Sequence, residues 1–175
     1  IFILDNIDPA TVSQLERILD FHKTALVYTS KSGSTAETAA NFIYFYNKYK
    51  EAGGDERDIV IICDPGNNGI NRIAKKLGCY LLRFPKNLQG RYSVMSPVGF
   101  LPAELAGIDC RGFLDGAGAV HKLLTTAPLE ENPLLVLGGA IYEYFQAGRT
   151  IHVLFNYSDL LQHFGLWFMQ LWAES

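Results

Sequence analysis

The stretch "TALVYTSKSGSTAET", residues 24–38, starts as an apolar run and ends in small oxygen-bearing side chains. Its first half, "TALVY", has the β-branched and aromatic content of a strand. From Thr29 to Thr38, ten residues hold six hydroxyl side chains, one lysine and one glycine. They run into a helical pattern over residues 34 to 51 that stops at Gly53 and Gly54. A strand that opens through a loop into a helix points the helix's unpaired N–H groups, and its positive dipole end, at the carboxyl edge of a sheet. Serine and threonine hydroxyls donate to anion oxygens, Gly33 permits close backbone approach, and Lys31 adds a point charge. The stretch predicts a parallel α/β sheet with a place for a phosphate at its edge.

A plainer reading takes Ser34 and Glu37 as an S-x-x-E capping box and the other hydroxyls as solvated loop residues. It leaves Ser30, Lys31, Ser32, Thr35 and Thr38 without a reason, which favours the phosphate site. The P-loop spacing G-x-x-x-x-G-K-[ST] is absent, which argues against nucleotide hydrolysis.

Outward from this stretch the alternation continues. "IFILD" at residues 1–5 reads as a strand, followed by a helix over residues 9 to 22 with Asp8 as cap and Pro9 in its first turn. "DIVIIC" at 58–63 and "CYLLRF" at 79–84 are further strands, with a short helix near 68 to 77 between them. The loop "PKNLQGRYSV" interrupts the pattern, three helices follow near 98–107, 111–126 and 133–147, then the strand "TIHVLFN" and a last helix after Ser158. On the helix over 34 to 51 the apolar spacing selects Ala36, Ala39, Ala40, Ile43 and Tyr46 as the packed face. The expected architecture is an α/β three-layer sandwich, a mainly parallel sheet of about five strands flanked by helices. No repeat, low-complexity tract or linker appears, so a single domain over residues 1–175 is expected.

Composition is that of an ordinary globular chain, with 49% hydrophobic and 19% charged residues. The net charge of −3 and the lack of a basic block give no field for nucleic acid. Cys63, Cys79 and Cys110 lack metal-ligand spacing and read as reduced core fillers in a cytoplasmic protein. Stretches such as "PLLVLGGAIY" are too short to span a bilayer, so no membrane partner is expected. Both ends look cut, which predicts a piece of a longer polypeptide.

The segment "SKSGSTAET" resembles the phosphate-binding segment of the sugar isomerase (SIS) domain, a flavodoxin-like α/β fold, and in particular that of the phosphoglucose isomerase family. The resemblance continues through "QGRYSVMSPVGFLPAELAGID", residues 89–109, and reaches "QLWAES" at residues 170–175, similar to the run that leads into the family's catalytic glutamate. Carried over by position, the resemblance implies that Ser30, Lys31, Ser32, Thr35 and Thr38 hold a substrate phosphate. It also implies that Gly90 and Arg91 sit by the sugar's C1 and C2 oxygens, that Gln170 contacts substrate, and that Glu174 is the base. The implied activity is interconversion of glucose 6-phosphate and fructose 6-phosphate through a cis-enediol, without metal or cofactor, in a homodimer. A carboxylate suits abstraction of a proton next to a carbonyl, and a guanidinium suits an enediolate oxygen because it stays protonated.

The chain departs from the family pattern in several places. His22, His121, His152 and His163 fall in none of these blocks and are expected to be structural or solvated; the family's catalytic histidine and lysine belong to sequence beyond residue 175. A glycine-rich, serine-containing loop before the first strand is missing, as is the continuation after Glu174. The 175-residue piece is therefore expected to bind a sugar phosphate weakly and to isomerise it poorly. The alternative is an SIS module that senses a phosphosugar and regulates a partner; Arg91 and Glu174 favour the enzyme, because a sensor has no use for a base over C1 and C2.

Overall fold

In the computed structural model, which describes residues 1–66 and 68–175, the chain folds as two compact units, Ile1–Ala106 and Gly107–Ser175. The first unit holds the sheet. Strands β1 (Leu26–Thr29), β2 (Ile59–Cys63) and β3 (Tyr80–Arg83) pair in parallel in the order β1-β2-β3, with Val27 opposite Val60 and Val60 opposite Tyr80. Helix α1 (Pro9–Ile18) precedes the sheet, α2 (Ala36–Glu51) joins β1 to β2, α3 (Gly69–Leu77) joins β2 to β3, and α4 (Pro97–Leu105) closes the unit. Parallel neighbours need such crossovers, which is why helix and strand alternate here.

The core lies where two crossover helices meet one sheet face. Ile59, Ile61 and Cys63 alternate along β2 and pack with Tyr28 of β1, Tyr49 of α2, and Ile70 and Ala74 of α3. Ile62, of opposite parity, is also fully buried. A central strand buried on both sides reads as a continuous apolar run, which explains "DIVIIC".

The α/β class and the helix-flanked parallel sheet are as expected, and the strand number is not. Of five strand-like runs, three pair among the described residues; "IFILD" and "TIHVLFN" form no ladder. Phe2, Ile3 and Leu4 instead line a shallow hollow with Thr11, Gln14, Leu15 and Ile18 of α1. An alternating run becomes a strand only where a neighbour offers hydrogen bonds, and periodicity is blind to that. The packed face of α2 also differs: Phe45 and Tyr49 are buried and Phe42 and Tyr46 half-buried, whereas Ile43 is 59% exposed. The large aromatic rings set the rotation of the helix and carry Ile43 outward; Phe42 meets Tyr28 edge-on at 5.1 Å.

Helix ends follow their caps. Asp8 Oδ1 accepts the N–H groups of Ala10 and Thr11 ahead of α1, and Gly78 ends α3 at φ +78°. In the second unit, α5 (Cys110–Thr126), α6 (Pro133–Gln146) and α7 (Gln162–Glu174) lie close to their expected positions. Asn132, fully buried, caps α6 through the Leu134 and Leu135 N–H groups and donates to the Leu124 carbonyl at 3.1 Å, so one side chain ties the end of α5 to the start of α6.

Between α2 and β2 the chain turns on Tyr49. A Cβ at Gly54 would collide with the Tyr49 ring, and the Tyr49 hydroxyl donates to the Asp55 carbonyl at 2.9 Å while accepting the Asp55 N–H at 3.0 Å. Asp55 then pairs with Arg57, whose side-chain and backbone hydrogen bonds hold its carboxyl down from 3.8 to about 2. Glu56 is lowered chiefly by Lys50, and Glu16 chiefly by Tyr44. Because its folded pKa lies below the unfolded one, the stability Asp55 contributes is present above pH about 4 and is lost as pH falls toward 2. Thermal unfolding followed between pH 5 and pH 2 should show Asp55→Asn losing less Tm over that window than the unaltered chain. Parallel curves would contradict the assignment.

Candidate functional site

The "SKSGSTAET" loop leaves β1 at the carboxyl edge of the sheet beside the loop that leaves β2. The Ser30 N–H donates to the Ile62 carbonyl at 3.0 Å and the Asp64 N–H to the Lys31 carbonyl at 3.0 Å, so the two loops stay paired past the strand ends. Gly33 then takes φ +68°, and a Cβ there would lie 2.5 Å from Ile70 Cγ2 and 3.1 Å from the Asn68 side chain. Both conformation and space demand glycine at this position.

Within the loop the hydroxyls bond to one another. Ser30, 6% exposed, accepts the Gly33 N–H at 3.2 Å and shares a hydrogen bond with Thr35 Oγ1 at 3.0 Å. Ser32 Oγ accepts from the Ser34 N–H at 3.2 Å and the Ser34 hydroxyl at 2.9 Å. The expected capping box of Ser34 with Glu37 does not form. Thr35, not Ser34, is the N-cap of α2, and it makes no side-chain cap bond because its hydroxyl is engaged with Ser30. The first turn of α2 thus starts without a side-chain cap, next to exposed Lys31 and Ser32, half-buried Thr38 and a run of hydroxyls. That is an arrangement suited to a phosphate.

The neighbouring loop is held by Asn71, which nothing in the residue spacing singles out. Its side chain, 4% exposed, donates to the Asp64 carbonyl at 2.8 Å and the Gly66 carbonyl at 2.5 Å and accepts the Cys63 thiol at 2.7 Å. Burial raises the Cys63 pKa, which keeps the thiol protonated as that donor.

Gly90 and Arg91 open a 3₁₀ turn, Gly90–Met95. The Ser93 hydroxyl donates to the Gly90 carbonyl at 2.6 Å and the Ser96 hydroxyl to the Ser93 carbonyl at 2.6 Å, and Ser96 caps α4. A Cβ at Gly99 would meet the Val94 carbonyl oxygen, so α4 packs directly on this turn. Half-buried Arg91 stacks its guanidinium on Tyr92, 4.8 Å from the ring centroid. In the second unit, exposed Gln170 and Glu174 stand one turn apart on α7, and Gln170 Nε2 donates to Glu174 Oε1 at 3.2 Å. His152 packs on Trp172, with ring centroids 4.5 Å apart.

Among the described residues no group of three or more histidine, cysteine or carboxylate side chains could hold a metal ion, and no helix is long and apolar enough to cross a membrane.

Fold and loop define an α/β protein with an anion-suited loop at the open edge of a parallel sheet. The chain belongs to the phosphoglucose isomerase family, whose profile matches residues 1–175. Among its relatives, a glucose-6-phosphate isomerase of Rubrobacter xylanophilus is 39% identical over 176 residues, spanning 98% of this chain and 40% of the relative. One from Thermus thermophilus is 37% identical over 98% of this chain and 41% of its own length. The crystal structure of a hypothetical protein from Thermus thermophilus superposes with a TM-score of 0.86 at 36% identity, over 96% of this chain and 40% of that one. That of a glucose-6-phosphate isomerase from Chlamydia trachomatis gives 0.64 at 28% identity, over 79% and 27%. The chain spans about 40% of the length of the curated relatives it matches.

Replacing Gly33 by alanine should lower stability by about 1–3 kcal/mol, because the left-handed backbone and the contact with Ile70 are both violated. Gly69→Ala, with open space around it, should cost far less. Chemical denaturation of the two variants checks the difference, and equal losses would contradict the close approach.

Proposed function

We propose that this chain is part of a glucose-6-phosphate isomerase, an aldose–ketose isomerase of glycolysis and gluconeogenesis. The observation that supports it most is the family match over residues 1–175, joined to a hydroxyl-rich loop at the uncapped start of α2. In this reading Ser30, Lys31, Ser32, Thr35 and Thr38 take the substrate phosphate, a dianion that cannot slip through a site satisfying its oxygens on several sides. Anchoring the phosphate orients the far end of the sugar, so that binding energy is spent on alignment.

The chemistry is a proton transfer balanced within the substrate. Glu174 takes the proton from C2 of the open-chain aldose, the electrons move to the C1 carbonyl oxygen to give the cis-enediol as its enediolate, and the O2 hydroxyl proton passes to O1. The same carboxylic acid returns the proton to C1 as the carbonyl forms at C2. Arg91 stabilises the oxygen charge that develops on C1 and C2, with Gly90 leaving room for those oxygens. Gln170 contacts the substrate and, by its bond to Glu174, holds the carboxylate in one orientation. Nothing is oxidised or reduced overall, so the reaction calls for no redox cofactor. The homodimer is the assembly this reading takes from the family resemblance, and the cytoplasm is the compartment it takes from the reduced-cysteine pattern.

A coupled assay on the full-length protein tests it. Arg91→Ala and Glu174→Gln should each lower kcat by about 10²–10⁴-fold, while Lys31→Ala should act mainly on KM. Unchanged turnover in the first two variants would overturn the catalytic roles and favour a phosphosugar-binding regulator.

A further inference from the structure

The 3₁₀ turn that carries Arg91, Gly90–Met95, is packed at its far end and open at its near one. Downstream, α4 sits directly on the turn: a Cβ at Gly99 would collide with the Val94 carbonyl oxygen, and Ser96 caps α4 through the Val98 N–H. Upstream, a Cβ built on Gly90 would meet nothing within 4 Å, so no neighbour packs against that residue there. Glycine is also the residue whose backbone turns most freely, and 3₁₀ turns have poorer hydrogen-bond geometry than α-helices. Backbone alone is therefore a weak anchor for the peptide that joins Gly90 to Arg91.

Ser93 reinforces that anchor. The residue is buried, and its hydroxyl donates to the Gly90 carbonyl at 2.6 Å. That carbonyl belongs to the Gly90–Arg91 peptide, so the bond fixes the plane from which the Arg91 side chain departs. The Ser93 carbonyl is held in turn by the Ser96 hydroxyl at 2.6 Å and the Ser96 N–H at 3.1 Å. A line of bonds thus runs from the peptide that bears Arg91, through Ser93, to Ser96 and the start of α4. Beyond it, the Arg91 guanidinium lies over Tyr92, whose N–H donates to the Gln89 carbonyl at 3.0 Å.

We propose that Ser93 is a positioning residue for the isomerisation: by fixing the Gly90–Arg91 peptide it aims the Arg91 guanidinium at the oxygens of C1 and C2. This rests on the reading of Arg91 as the group that stabilises the enediolate, and names the side chain that sets its aim. A donor stabilises a developing charge only if it already points to where that charge will form. A displacement of about 1 Å can cost about 10²-fold in rate. Ser93 acts through Arg91, because its own proton is committed to the Gly90 carbonyl. Ser96 makes the same kind of bond, a hydroxyl to the carbonyl three residues back, yet its acceptor lies in the Ser93–Val94 peptide, away from Arg91. The two serines therefore separate support of the turn from aim of the arginine.

A coupled assay with fructose 6-phosphate on the full-length protein, with Tm measured alongside, compares Ser93→Ala, Ser96→Ala, Arg91→Ala and the double variant Ser93→Ala with Arg91→Ala. Ser93→Ala should lower kcat about 10–100-fold with KM changed by less than about threefold, since the phosphate loop is untouched. Ser96→Ala should lose at least as much Tm, through the lost cap of α4, with kcat changed by less than about threefold. The double variant should be no slower than Arg91→Ala alone, because Ser93 acts through that residue. If alanine at position 93 does not fold, Ser93→Cys, a weak donor, should show the same fall in kcat to a smaller extent. Loss of kcat in step with Tm in both serine variants, additive losses in the double variant, or unaltered kcat at position 93 overturns the role of Ser93, while Arg91 keeps its own if Arg91→Ala is slow. Unaltered turnover in Arg91→Ala overturns both.

Discussion

Two backbone hydrogen bonds beyond the strand ends, Ser30 N–H to Ile62 O and Asp64 N–H to Lys31 O, are what the rest of the first unit depends on. They extend the β1–β2 ladder just far enough to carry two loops off the sheet side by side. Once the loops are paired, Gly33 must pass against Ile70 and Asn68, and only a glycine in the left-handed region fits. The start of α2 is then placed one residue later than a capping box would have it, and its first turn faces the hydroxyls instead of a cap. Ile59, Ile61 and Cys63 pack with the two crossover helices behind this edge; each of the two buried isoleucines stabilises by about 1.5–3 kcal/mol.

The same constraint explains the division of labour among polar groups. Asn71 spends its side chain on the carbonyls of Asp64 and Gly66 and on the Cys63 thiol, which fixes the neighbouring loop from below. Ser30 spends its oxygen on Gly33 and Thr35. The buried serines Ser93 and Ser96 do the comparable task for the turn that carries Arg91, each bonding a carbonyl three residues back. In both places small polar side chains outside the set assigned to the ligand do part of the holding: Asn71 beside the phosphate loop, and Ser93 and Ser96 in the turn that carries Arg91.

Much of this was legible in the sequence, and the exceptions share a cause. Strand β2 announced itself as an unbroken apolar run because it is covered on both faces, and α1 could be started from Asp8; α3, α5 and α6 lie within a few residues of their expected bounds, and the structure shows Asn68, Asp109 and Asn132 bonding their first N–H groups. The hydroxyl loop could be picked out by composition. What could not be read were facts about neighbours. Residues 1–5 and 150–156 have the alternation of strands but no ladder, Ile43 fits a helical stripe yet lies outward because Phe42, Phe45 and Tyr49 claim the inner face, and Ser34 lost the cap to Thr35 because Ser30 reaches Thr35 first. Asn71 carries no local signature at all; its weight comes from three partners brought by the fold.

The central claim is that an anion sits at the start of α2, held by the loop from Ser30 to Thr38. Titrating isotopically labelled chain with inorganic phosphate and following backbone amide resonances tests it most directly. The account predicts saturable shifts concentrated in the amides of residues 30–38, with those of β3 nearly unmoved. Shifts concentrated elsewhere, or none at saturating phosphate, would contradict it.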